Sequence, residues 1–132
     1  MPASTALNIK SNTTPSTIAR ELMGDIAPKF AELTDTVLFD DIWQRPGLAA
    51  RERSLITVAT LIALNRSEQL PFHMQRALDN GITHAELVEV ITHLAFYAGW
   101  PTAASAVTAL RQLSANCLPI KPQQNQRSKS CP

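Results

Sequence analysis

A chain of 132 residues is one domain's worth, long enough to bury a core without disulfide or metal staples. Its formal net charge of +1, with acids and bases scattered along its length, lacks the basic footprint of a dedicated nucleic-acid binder. The longest charge-free run, Ser54 to Asn65, falls well short of the roughly 20 residues that span a bilayer, so small molecules and copies of itself are the expected partners, with no nucleic acid and no membrane.

Both ends read as loose. Residues 1–15 are rich in Ser, Thr and Asn, and residues 117–132 are polar and proline-containing. Neither end can bury enough apolar surface to offset the entropy of ordering it, which leaves 16–116 as the folded domain. The opening MPASTALNIKSNTTPS has no apolar signal-peptide core, so a cytoplasmic location is expected. Cys117 and Cys131 form neither a C-x-x-C pair nor a metal-ligand spacing.

Between the ends the periodicity is helical, with no run of the two-residue alternation that marks a half-buried strand, and the expected class is all-α. A first helix over Thr17 to Gly24 carries Ile18 and Leu22 four apart, and a second over Pro28 to Leu33 carries Phe30 and Leu33. Thr34 is placed to cap a third over Asp35 to Gln44, with Asp35 complementing the helix dipole, Val37, Leu38 and Ile42 as its apolar stripe, and Pro46–Gly47 as its stop. From Ala50 to Leu64 apolar residues spread around the whole circumference, as in a central helix.

Ser67 is the expected N-cap of the next helix, with Pro71 near its start, and Asn80–Gly81 supply a left-handed C-cap. Thr83 and Glu86 then form a T-x-x-E capping box flanked by Ile82 and Leu87 in the positions of a hydrophobic staple. The helix from Thr83 to Ala98 has Leu87, Ile91, Leu94 and Ala98 as its core stripe, and Gly99 to Pro101 ends it before a last helix over Thr102 to Ala115. Phe96 falls nearly opposite that stripe, and together with the all-round apolar 50–64 segment it points to a subunit interface.

Three histidines are candidates for chemistry. His84 lies in a first helical turn, where an exposed side chain is the expectation. His93 lines up with Glu89 and Tyr97 at spacings of four, as an ion pair on a partly solvated face or as part of a site. His73 shares a face with Leu70 and Ala77, so its imidazole should point inward, either as a satisfied core residue or as a working acid/base. Gln69, four residues earlier, is placed to bind one ring nitrogen and fix the tautomer, so Gln69 and Glu68 join His73 as catalytic candidates, and Arg51 and Arg53 are close in sequence. A zinc site from His73, His93 and Glu89 has no H-E-x-x-H pattern behind it, and neither metal nor cofactor is expected.

The blocks FDDIWQRPGL, RERSLITVATLIAL, EQLPFHMQRALDNGITHAELVEVI and HLAFYAGWP, in that order from Phe39 to Pro101, resemble the carboxymuconolactone decarboxylase family. The resemblance implies an alkyl hydroperoxidase D-like helical bundle of about six to seven helices, assembled as a homotrimer or homohexamer. Thiol-dependent peroxidase members carry a C-x-x-C with three residues between it and the histidine that matches His73. Here those positions hold Arg66 and Gln69, and Ser54 stands at the position of their relay glutamate. Without a thiolate there is no nucleophile for a peroxide, which disfavours an alkyl hydroperoxidase or peroxiredoxin-like activity.

Decarboxylase members keep the histidine without the cysteines. The resemblance therefore implies a lyase acting on a small carboxylated lactone or related acid, with His73 as acid/base, Arg51 or Arg53 as anion binder, and Trp43, Tyr97 and Trp100 as pocket walls. His93 joins this set as a possible substrate contact. Gln69 stands where decarboxylase members often carry glutamate. The acid here is Glu68, a step that turns the carboxylate about 100° around the helix. A non-catalytic oligomeric binding protein is the alternative.

Overall fold

Six α-helices, a π-helical turn and a short 3-10 turn make up residues 14–116, the part of the chain that the computed structural model describes. The described residues contain no strand, as the periodicity predicts. The expectations for the two ends and for Cys117 and Cys131 lie outside the described residues, apart from residues 14 and 15. The chain divides into two compact units, Met1–Ala50 and Arg51–Pro132.

In the first unit α1 (Ile18–Met23) packs on α2 (Pro28–Leu33), which runs straight into the π-helical turn Thr34–Phe39 and then the 3-10 turn Ile42–Gln44. The two short helices fall where the sequence puts them, but the residues they bury are Ala19 and Ala31, while Leu22, Phe30 and Leu33 are exposed. The third helix expected over Asp35 to Gln44 is not a continuous α-helix. Thr34 stays helical and its hydroxyl donates to the Phe30 carbonyl (2.8 Å) instead of capping, and the Asp40 amide reaches back five residues to the Asp35 carbonyl (2.9 Å).

That wider turn changes which residues face inward. Val37, Leu38 and Ile42, the expected stripe, are exposed, and Phe39 and Trp43 are buried with their rings 6.5 Å apart. Asp35 is buried and serves the start of α1 rather than its own segment. Its carboxylate accepts the Ala19 amide (2.9 Å), the Arg20 amide (3.0 Å) and the Ser16 hydroxyl (2.8 Å). These are the orphan donors that a local N-cap side chain would take.

The second unit is built from α3 (Ala50–Ala63), α4 (Leu70–Asp79), α5 (His84–Ala98) and α6 (Trp100–Asn116), with α6 packed against both α4 and α5. One core joins them: Val58 and Ile62 from α3, Leu70, Met74 and Ala77 from α4, Leu87, Ile91 and Ala95 from α5, and Ala103, Ala106, Ala109 and Leu110 from α6. Helix α3 buries one stripe, Ser54, Val58 and Ile62, and leaves Ile56 exposed, as is Leu64 in the turn that follows it. Its all-round apolar surface is thus covered on one side only. None of the helices among the described residues is long and apolar enough to cross a membrane.

The link between α4 and α5 follows the sequence signals closely. The Ile82 amide bonds the Ala77 carbonyl (2.9 Å) and the Gly81 amide bonds Leu78 (3.1 Å), a Schellman closure that needs the positive φ of 96° at Gly81. Thr83 and Glu86 make the reciprocal capping box, and Ile82 and Leu87 are both buried beside it. Gly99, at φ 100° and ψ 154°, is the lone residue between α5 and α6. Only glycine holds that backbone without strain, so α6 restarts at Trp100, two residues earlier than expected.

Candidate functional site

His73 lies in the second turn of α4, beside rather than on its most buried line. Leu70, Met74 and Ala77 are the buried residues of the helix, and the line through them leaves His73 half-buried with its Nδ1 covered. The Phe72 ring stands edge-on to the imidazole at 5.0 Å between centroids. Burial, and then the charge of Arg76, hold the His73 pKa below the ordinary histidine value, so the neutral imidazole persists to lower pH than in water. Arg76 is a residue that the sequence reading passed over. The signal available was its spacing of three from His73, which puts the two side chains on neighbouring positions of one helix face.

Helix α4 begins later than expected. Ser67 belongs to a turn, Gln69 is the N-cap residue without a side-chain cap bond, and its carbonyl accepts the His73 amide at 3.3 Å. Glu68 and Gln69 are exposed, and with Leu61, Asn65, Arg66 and Ser67 they line a hollow of about 610 Å³ at the α3–α4 junction. The chain turns there through Asn65, whose φ of 53° is left-handed. Arg66 and Gln69 face this hollow together, one cation and one amide.

Arg51 is engaged elsewhere. Its guanidinium pairs with the carboxylate of Glu86, the same side chain that accepts the Thr83 amide (2.8 Å) in the capping box. The Thr83 amide, opposed by partial burial and reinforced by Arg51, keeps the Glu86 pKa below the usual carboxylate value. Arg53 is half-buried with its Nε covered, one turn before Thr57, whose hydroxyl donates to its carbonyl (2.7 Å). Ser54 is fully buried and accepts from the Asn80 amide side chain (2.9 Å), tying α3 to the end of α4.

Trp43 is buried beside Phe39 in the first unit, while His93, Tyr97 and Trp100 are exposed on the second. His93 is exposed, stacks on Tyr97 at 4.9 Å, and with Glu89 rims a groove of about 490 Å³ whose other lining is Leu55, Ile56, Ala59, Val90 and Leu94. Trp100 meets Phe96 edge-on at 5.7 Å. Phe96, Tyr97 and Trp100 are 76%, 79% and 69% exposed, an aromatic face open to solvent in the single chain. His84 is exposed as expected, and its Nε2 lies 2.6 Å from the Ser114 hydroxyl. Among the described residues no group of three or more His, Cys, Asp or Glu side chains is placed to hold a metal ion.

Every one of these candidates lies inside residues 28–112, which match the pattern of the carboxymuconolactone decarboxylase family. The chain belongs to that family. It is 37% identical over 87 residues to the 4-carboxymuconolactone decarboxylase of Acinetobacter baylyi, an alignment covering 66% of this chain and 65% of that protein. It is 36% identical over 76 residues to the nitrosuccinic acid decarboxylase of Metarhizium robertsii, covering 58% of this chain and 53% of that protein. The matched segments thus span less than two thirds of either relative. The names of these two family members share a reaction class, decarboxylation, and differ in substrate.

Proposed function

We propose that this protein is a carboxy-lyase of the carboxymuconolactone decarboxylase family, acting on a small carboxylated lactone or related acid with His73 as its proton carrier. The observation that carries the reading is His73 itself, a half-buried imidazole of reduced basicity on a well-packed helix inside the family-matched segment. The names of two relatives supply the reaction class. In the proposed step the carbon–carbon bond to the departing carboxylate breaks and its electron pair passes into the adjacent electron-withdrawing group. Carbon dioxide leaves, the imidazolium form of His73 returns a proton to the carbanion carbon, and solvent reprotonates the imidazole. A lowered pKa makes that imidazolium a stronger acid but a smaller fraction near neutral pH, so turnover by this route should rise as pH falls toward the His73 pKa.

The same reading has the protein working as a homo-oligomer, trimer or hexamer. The support is the exposure of Phe96, Tyr97 and Trp100, with Ile56, large apolar side chains of the kind that mark interaction surfaces where they gather. The test of the function is carbon dioxide release from 4-carboxymuconolactone and from nitrosuccinic acid, with the full chain as catalyst. Release from either supports the reading, and release from neither sinks it for these acids.

A further inference from the structure

We infer that the chain pairs with a second copy of itself across a two-fold axis at α5, each copy's Phe96 and Tyr97 covering the α3–α5 groove of the other. The inference rests on the homo-oligomer part of the proposed function and names its face and symmetry. Leu87, Ile91 and Ala95 are the buried stripe of α5. At about 100° per residue, Glu89, His93 and Phe96 fall on a line nearly opposite that stripe. Their spacings of four and three are those of a helix–helix seam. Trp100, edge-on to Phe96 at 5.7 Å, extends the line past Gly99.

The groove of about 490 Å³ flanks this line, walled by Leu55, Ile56 and Ala59 of α3 and by Val90 and Leu94 of α5, with Glu89 and His93 on its rim. Aromatic patch and apolar groove are therefore neighbours on one face. A two-fold axis covers both at once, because each copy gives its patch and receives that of its partner. Phe96, Tyr97 and Trp100 are all exposed. Aromatic side chains bury roughly 150–250 Å² each, so the three from both copies approach the roughly 1,200–2,000 Å² total of a stable interface.

The polar groups choose the register. Among the described residues neither the Glu89 carboxylate nor the Tyr97 hydroxyl has a hydrogen-bond or ion-pair partner. Two α5 helices running antiparallel and centred on His93 set Phe96 against Val90 of the partner subunit and Tyr97 against Glu89 of the partner subunit. The phenol then donates to the carboxylate on each side of the axis, and each Phe96 ring enters the apolar groove. A parallel pairing would instead set Glu89 beside its own copy, like charge against like.

A residue on a two-fold axis meets its own copy, so one cysteine there links two chains. The experiment oxidises full-length His93→Cys, with Cys117→Ser and Cys131→Ser, and reads linked dimer on a denaturing gel. Cysteines facing across the axis reach the Cα separation of roughly 4.4–6.8 Å that a disulfide needs. The expected result is a linked dimer, lost when Phe96→Glu or Ile56→Glu is added while circular dichroism shows the helices intact. Absence of a link in folded His93→Cys, or a link that neither charge removes, overturns the inference. A wild type that sediments as an oligomer while residue 93 gives no link overturns this face and leaves the homo-oligomer reading standing. Linked dimer without turnover of either acid supports the face and retires the decarboxylase reading.

Discussion

The guanidinium of Arg51 donates to the carboxylate of Glu86 while the Thr83 amide donates to that same carboxylate from the other side, at 2.8 Å. One acid therefore closes the capping box of α5 and ties α3 to its first turn. Glu86→Ala should lower the thermal midpoint more than Arg51→Gln, because the first change removes both interactions and the second only the ion pair. Thermal unfolding followed by circular dichroism checks the ranking, and an equal or reversed order contradicts it.

Met74 and His73 are neighbours with opposite expected costs. Met74 is fully buried in the core, so Met74→Ala should destabilise by about 2–5 kcal/mol. His73→Gln, at a half-buried position, should leave the fold in place. Urea unfolding separates the two, and comparable losses would mean that His73 is mainly a packing residue.

The His73 pKa is depressed in the folded protein, so between that value and the ordinary 6.5 the unfolded chain binds more protons. The stability this group contributes is present above 6.5 and is lost as pH falls through the folded pKa. The urea midpoint should fall on acidification from about pH 7.5 to 5.5, and less steeply in His73→Gln. Identical slopes in the two proteins would contradict the shift.

Much of the second unit was legible because its signals are local. The T-x-x-E box, the glycine after α4 and the outward Phe96 each depend on residues within one or two turns of each other, where helix geometry fixes the outcome. Asp35 was misread because its partners, Ser16, Ala19 and Arg20, are distant in sequence, and nothing nearby announces a π-helical turn. Ser67 has the right chemistry for a cap but sits in a turn ahead of α4, and Arg76 lacks a motif of its own. In the site, His73 was found from its apolar surroundings, whereas the engagement of Arg51 is a tertiary fact that only the packing of α3 near α5 reveals.

Asp35 lends itself to a separate acid test. Burial alone would raise its pKa, but the amides of Ala19 and Arg20, the Ser16 hydroxyl and the nearby Arg20 charge outweigh it and hold the carboxyl below its ordinary 3.8. Its contribution to stability is therefore complete above 3.8 and lost as pH falls through the lower folded value. Asp35→Ala should speed hydrogen exchange at the Ala19 and Arg20 amides by roughly ten-fold or more at neutral pH. Unchanged protection there would remove Asp35 as the cap of α1.

The exposed aromatic face predicts a change of mass in solution. Placing charges at its centre, with Phe96→Glu and Trp100→Glu together, should convert an oligomer to a monomer in sedimentation without loss of helicity. A wild type that already sediments as a monomer, or a double variant that stays assembled, contradicts that use of the face.

The proton-carrying role of His73 is read from the decarboxylation rate of the wild type and of His73→Gln, with carbon dioxide release measured at saturating 4-carboxymuconolactone or nitrosuccinic acid. Turnover by the wild type and a kcat lower by roughly 10²–10⁴-fold in a folded His73→Gln are expected, the range seen when a general acid is removed. Turnover that persists undiminished in the variant would contradict His73 as the proton carrier.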